Sequence, residues 1–260
     1  MSSLSRKLIF VSAGMLCAIP AAATEMRACA EPDNLPFSRK DESGFENRIA
    51  RILASELHRE LRYTWTAQRR GFVRKTFGAD VCDVWMGVPA GFERVLTTKP
   101  YYRSTYVFIF RTRPLRSFDE AAVREMRVGV QLPGDDLAAT PPGHALALRG
   151  ATGNVVGFPI YGERPVGERI VDAIAAGELD AAVVWGPAAG FFAHAKQLHV
   201  VPARAPAELA TLPFEFSISI GVRKGETALR DELDAALEKK RGEIEAVLDE
   251  YSVPRVGDAN

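Results

Sequence analysis

Two segments of this chain each alternate strand-like and helix-like patterns, and that grammar admits few folds. Short apolar runs joined by crossovers carrying a helical stripe build parallel α/β sheets. The first segment opens with a strand over 26–30 and a polar loop. A helix follows whose apolar stripe runs Phe45, Ile49, Ile52, Leu53 and Leu57. Ser43 and Glu46 have the spacing of a capping box at its start. A strand over 62–66, a helix over 71–77 and a strand over 83–88 complete the unit.

The second segment repeats the order. A strand over 127–131 leads through a Gly/Pro-rich loop, 132–143, to a helix around 145–148. A strand over 154–157, a helix over 165–176, a strand over 181–185 and a short helix over 188–193 follow. Pro165 suits a first helical turn and Gly177 a stop. Between the segments, 105–110 reads as extended. So does 214–222, where Phe214, Phe216, Ile218, Ile220 and Val222 alternate with smaller or polar residues. If the chain leaves on the first and returns on the second, they form a two-strand hinge. A final amphipathic helix with Leu229, Leu233, Leu237, Ile244, Val247 and Leu248 then packs back on the first unit. One continuous α/β domain is the simpler alternative. The repeated grammar favours two lobes, 24–107 with 217–260 and 108–216.

Arg6 and Lys7 precede an apolar run from Leu8 to Ile19, then Pro20 and Ala21, Ala22 and Ala23. That is the form of a secretory leader cut after Ala23, giving a signal peptide over 1–23. The run is shorter than the about 20 residues a spanning helix needs, so no membrane span is expected after cleavage. Cys17 lacks the small-residue context of a lipidation site. Loss of Arg6 and Lys7 leaves 31 basic against 33 acidic residues. A mildly acidic chain argues against a nucleic-acid partner. The reading is an exported, soluble protein.

Removing Cys17 leaves Cys29 and Cys82. In an oxidising compartment an even pair is a disulfide candidate. In an open sheet of order 2-1-3 their strands would be neighbours, which would allow the two Cα atoms to meet the about 7 Å limit. Two inert buried thiols are the alternative. The histidines His58, His144, His194 and His199 show no metal-site spacing, so no metal ligand is expected. No Gly-x-Ser-x-Gly elbow, phosphate loop or dinucleotide turn occurs, and no catalytic residue is expected.

The run from Cys82 to Ser104 carries a buried strand, a Gly/Pro turn, a helical turn with Glu93 and Arg94, and an aromatic re-entry at Tyr101 and Tyr102. Ligand crevices form outside the carboxyl ends of parallel strands. In lobe one those ends carry Asp33, Asn34 and Phe37, then Trp65 and Arg69-Arg70, then Gly87 and Val88 through Arg94 and Tyr101. Amides of the 87–91 turn with the Arg94 guanidinium suit an anion such as a carboxylate. Arg94 paired structurally with Glu93 or Asp83 is the alternative. Lobe two offers Tyr161 and Trp185, with Phe191 read as core. These residues outline a small-molecule or side-chain pocket.

Longer runs carry a resemblance. Cys29-Ala-Glu-Pro-Asp-Asn-Leu-Pro-Phe-Ser, Gly44-Phe-Glu-Asn, Gln68-Arg-Arg-Gly-Phe-Val-Arg and the block from Cys82 resemble the quinoprotein-dehydrogenase-associated solute-binding proteins. So do Pro100-Tyr-Tyr-Arg-Ser-Thr-Tyr-Val-Phe, Pro141-Pro-Gly-His-Ala-Leu, Ala181-Ala-Val-Val-Trp-Gly-Pro-Ala-Ala-Gly and Gly221-Val-Arg-Lys-Gly. These are the J-type accessory proteins of methanol oxidation. The resemblance implies a bilobal type II periplasmic-binding-protein fold, two open α/β lobes, and a periplasmic location. It implies a non-catalytic role in assembling or activating a PQQ-dependent methanol or alcohol dehydrogenase, with cytochrome c as a further partner. The PQQ would belong to that enzyme, and this chain would bind no cofactor. A substrate-binding protein of an ABC transporter for a small organic solute is the alternative.

Amino-acid-binding relatives hold the ligand's ammonium with an acid after the lobe-two strand, where this chain has Trp185 and Gly186. A desolvated ammonium without that partner is unfavourable by several kcal/mol. That argues against a free amino acid as the unknown small ligand of the cleft. Trp85 departs from the resemblance, at a strand position more often aliphatic.

Overall fold

The computed structural model describes residues 24–133 and 139–257. The leader expected over 1–23 and part of the 132–143 loop lie outside the described residues.

Lobe one begins with β1 (Glu25–Ala30), a small hairpin of β2 (Asp33–Asn34) and β3 (Ser38–Arg39), and α1 (Phe45–Glu56). β4 (Glu60–Trp65), α2 (Phe72–Lys75), β5 (Val84–Pro89) and β6 (Leu96–Thr97) follow, and β7 (Tyr102–Phe110) crosses out. Lobe two holds β8 (Val128–Leu132), α3 (Pro141–Leu148), β9 (Val155–Pro159), α4 (Val166–Ala175), β10 (Ala181–Trp185), α5 (Gly186–Ala195) and β11 (His199–Pro202). β12 (Glu215–Val222) returns, and α6 (Thr227–Lys239) and α7 (Arg241–Glu250) pack on lobe one.

The main strands form one path, β4-β1-β5-β12-β7-β10-β8-β9, with β6 beside β12 and β11 beside β7. Within each lobe three strands pair in parallel, β4-β1-β5 and β9-β8-β10. The crossing strands enter antiparallel. β7 pairs with β12 through Thr105 opposite Glu215, then hands over at Tyr106 to Trp185 of β10. This is the two-lobed, type II periplasmic-binding-protein arrangement, with both lobes sharing the two crossing strands.

A large core under α1, α6 and α7 holds Phe45, Ile49, Leu53, Ile220, Leu233 and Leu248. Clusters on both faces of the lobe-two sheet hold Phe108, Phe118 and Leu146 on one side and Ile109, Ile170 and Ile174 on the other. Each such side chain contributes roughly 1.5–3 kcal/mol on leaving water. A fourth, smaller cluster surrounds Cys29 and Cys82 with Phe72, Phe77, Val88 and Trp85. The two sulfurs are bonded, with Cα atoms 5.6 Å apart, because β1 and β5 are neighbours with Cys29 opposite Trp85.

Three local expectations change. The N-cap of α1 is Gly44, and Asn47 Oδ1 accepts its N–H at 3.2 Å, while Ser43 bonds Asp41 instead. Glu46 is thereby released from capping and turns inward. The helix expected over 71–77 is a single turn followed by a 3-10 turn, Phe77–Ala79. The last helix is broken at Lys240, whose φ of −100° and ψ of 11° leave the helical range.

Candidate functional site

A cavity of about 250 Å³ lies between the lobes at the strand ends. Lobe one contributes Glu31, Asp33, Asn34, Phe37, Gln68 and Arg69; lobe two contributes Gln131, Tyr161, Arg164 and Trp185. Trp185 ends β10 and caps α5, and its backbone N–H donates to Gln131 Oε1 at 2.8 Å. Its ring meets Tyr106 and Phe216 edge-on, with centroids 5.6 and 5.5 Å away. A half-buried indole in that frame is a fixed apolar wall.

Across the cavity the protein touches itself. The Tyr161 hydroxyl donates to the Gln68 carbonyl at 3.1 Å, and the Arg69 guanidinium sits 4.6 Å above the Tyr161 ring. The loop bearing Gln68 and Arg69 is held from below, where Gln68 N–H donates to Glu31 Oε2 at 2.5 Å. Burial pushes the Glu31 carboxyl up, against that hydrogen bond and the charge of Arg69. The other cleft charges are engaged too: Asp33 lies 3.6 Å from Arg39, and Arg164 pairs with Glu168 and Asp172. A hydrogen bond plus a cation–π contact latches the lobes at the cleft mouth.

On the hinge side the C-terminal segment forms a second brace. Gly186 and Gly190 of α5 bring its backbone against this segment, since a Cβ on Gly190 would stand 2.5 Å from Ser252 O. Ser104 Oγ donates to Pro254 O at 2.5 Å, and Phe191 stacks on Tyr251 with centroids 5.4 Å apart. Phe191, expected in the core, is half-buried and packs against the lobe-one core from this seam.

Behind the cleft floor, Glu46 packs on Gly87 beside Tyr101 and Tyr102. Its carboxyl makes no hydrogen bond among the described residues, and burial pushes it up to about 8. Burial also holds the Tyr101 and Tyr102 hydroxyls well above their usual range, and the Tyr101 hydroxyl is enclosed without a hydrogen-bond partner.

The structure thus brings Asp33, Asn34, Phe37, Tyr161 and Trp185 together around one cavity and sends the rest elsewhere. Trp65 stacks on Tyr63 at 4.7 Å, outside the cavity lining, and Arg70 is exposed and does not line the cavity. Gly87, with φ of 73°, reverses the strand's side-chain alternation, so Val88 is buried in the disulfide cluster. Tyr101 lines a separate hollow of about 150 Å³ with Lys99 and Leu237. Arg94 is exposed outside the cleft, because the chain after the 90–95 turn doubles back through β6 onto β12. Asp83 pairs with Arg27 and Arg223 rather than with Arg94. Glu31, Gln68, Gln131 and Arg164 were not anticipated. Glu31 and Arg164 had a signal, directly after a strand and directly before a helix-initiating Pro. Among the described residues no group of three or more His, Cys, Asp or Glu suits a metal ion, and no helix is long and apolar enough to cross a membrane.

No protein-family model matches the chain. It is 34% identical to Protein MoxJ of Methylorubrum extorquens over 253 residues, spanning 88% of this chain and 81% of that protein. It is 29% identical to Protein MoxJ of Paracoccus denitrificans, spanning 94% of each. Among solved structures it superposes on the periplasmic binding protein XoxJ from Methylobacterium extorquens AM1 with a TM-score of 0.74 at 33% identity. That match covers 90% of this chain and all of the other.

Proposed function

The chain belongs to the MoxJ family, and on that premise we propose that it is a periplasmic, non-catalytic accessory protein. In this reading it assists assembly or activation of a PQQ-dependent methanol or alcohol dehydrogenase, the role that the sequence resemblance implies. The PQQ is the enzyme's, this chain carries no cofactor, and a cytochrome c is a further candidate contact. The observation that carries the reading is the latched cleft. The mouth where a free solute would enter is bridged by Tyr161 on Gln68 and Arg69, and the lobe-two strand ends in Trp185 rather than in a carboxylate. A fold built to trap solutes is here closed by its own side chains, and fold alone does not assign function.

The test is a gene deletion with measurement of dehydrogenase activity and PQQ loading in periplasmic extract. Loss of active enzyme, restored by the wild-type gene, is expected; full activity in the deletion strain rejects the reading.

A second reading, a receptor delivering a small organic solute, is favoured by the about 250 Å³ cavity lined by both acidic and basic groups. A concentration-dependent rise in Tm with one metabolite, through ligand linkage, selects it instead.

A further inference from the structure

Arg94 opens onto a shallow hollow of about 480 Å³ on lobe one, lined by Val73, Arg74, Phe77, Arg94, Arg223 and Lys224. Four of those residues are cations and none is a carboxylate. Arg223 shares Asp80 and Asp83 with Arg27, so two acids serve two arginines. Arg74, Arg94 and Lys224 have no ion-pair partner among the described residues, and each is exposed. Composition does not force this accumulation, because basic and acidic residues number 33 each in the full chain. Most other arginines of the fold, such as Arg27, Arg59, Arg149 and Arg164, are ion-paired.

The floor beneath is rigid and apolar. Phe72 and Phe77 pack with Cys29, Cys82 and Val88, and Trp85 stands 4.7 Å from Phe72. The disulfide joins the two strands that carry this cluster. Exposed cations gathered on a fixed apolar seat are costly to a protein unless something anionic covers them, because like charges repel across the hollow.

We propose that this hollow is a docking surface for an acidic segment of a partner protein, an apolar side chain of that segment seating over Val73 and Phe77. The proposal rests on the accessory-protein reading above, and the dehydrogenase is the partner it names. A flat anionic membrane leaves a concavity unfilled, and a small oxyanion needs convergent donors around one point rather than a broad open basin. Docked carboxylates would neutralise Arg74, Arg94 and Lys224, and complementarity of that kind governs association rate and register.

The experiment measures binding of full-length protein to purified dehydrogenase by calorimetry or interferometry at low and high salt. Wild type is expected to bind more weakly as salt rises. The variant Arg74→Glu/Arg94→Glu/Lys224→Glu is expected to lose ~100-fold in affinity at low salt and to lose the salt dependence. Arg94→Ala alone, at an exposed side chain, is expected to weaken binding ~3–10-fold with unchanged Tm. Arg204→Glu, which reverses an equally exposed cation on lobe two, is expected to bind as wild type. Wild-type affinity and salt slope in the triple variant overturn the docking surface and leave the accessory role standing. No binding by wild type overturns both. Charge-dependent capture by phosphatidylglycerol vesicles with no binding to the enzyme replaces the protein partner with a membrane.

Discussion

Gly87 has no side chain because the carboxyl of Glu46 fills the place one would take: a Cβ on residue 87 would collide with Glu46 Oε1. The same glycine holds φ at 73°, where a Cβ is strained whatever the space. Gly87→Ala is therefore expected to destabilise the protein by about 2–4 kcal/mol, combining left-handed strain with overpacking. Denaturant unfolding checks it, and a change below about 0.5 kcal/mol contradicts the packing described.

Glu46 makes stability depend on pH in an unusual direction. Its carboxyl is raised from 4.5 to about 8 in the fold, so the folded state holds a proton that the unfolded chain releases. Its contribution is fully present below about pH 4.5, declines as pH rises toward about 8, and is lost above that. The upper bound is on the order of 5 kcal/mol, from roughly 1.36 kcal/mol per unit. Glu46→Gln is expected to flatten this decline and to be the more stable form at pH 8. Parallel slopes for variant and wild type across pH 5–8 would show that the carboxyl is not held neutral.

The latch yields a prediction about shape. Tyr161→Phe with Arg69→Ala removes both the hydrogen bond and the cation–π contact, together worth about 1–2.5 kcal/mol. The double variant is expected to populate a more open state, seen as a larger radius of gyration in X-ray scattering or a longer distance between spin labels on the two lobes. Unfolding free energy should fall by no more than about 2.5 kcal/mol. Identical scattering curves would mean that the hinge-side brace alone sets the angle.

The disulfide closes a loop spanning 53 positions. Chain-entropy arguments give about 4 kcal/mol for a crosslink of that length. Cys29→Ser with Cys82→Ser is expected to lower unfolding free energy by about 2–4 kcal/mol and to loosen the floor of the Arg94 hollow. Hydrogen exchange across β1 and β5, with and without reductant, reads both effects.

How much of this was legible in the residues follows from the range of the interactions that decide each part. Strand and helix alternation depends on neighbours within a turn or two, so β10 over 181–185 and the stripe of α1 are visible in the chain. Asp33 and Trp185 reach the cleft because strand ends in parallel sheets face a crevice. Arg94 does not, because its direction is decided by β6 pairing with β12, whose partner residues are Gly221 and Val222. No local pattern encodes that return. Glu46 shows the same limit: its spacing from Ser43 suits a cap, and only the distant absence of a side chain at Gly87 draws it inside. The latch between Gln68 and Tyr161 exists only once two lobes have docked, a contact across 93 positions of sequence.

The shared strands also impose an order of events on the newborn chain. β5 lies between β1 and β12, so the lobe-one sheet keeps an open edge until residues 215–222 have emerged. The lobe-two strands from β7 to β11 are contiguous in sequence and can close first. The lobe-one strands over 25–97 must therefore wait, an unpaired edge exposed, for nearly the whole chain to arrive. Unpaired edges of that kind are where chains stick to one another. For such a topology, the interval between the first and last strands is the vulnerable stage of its life.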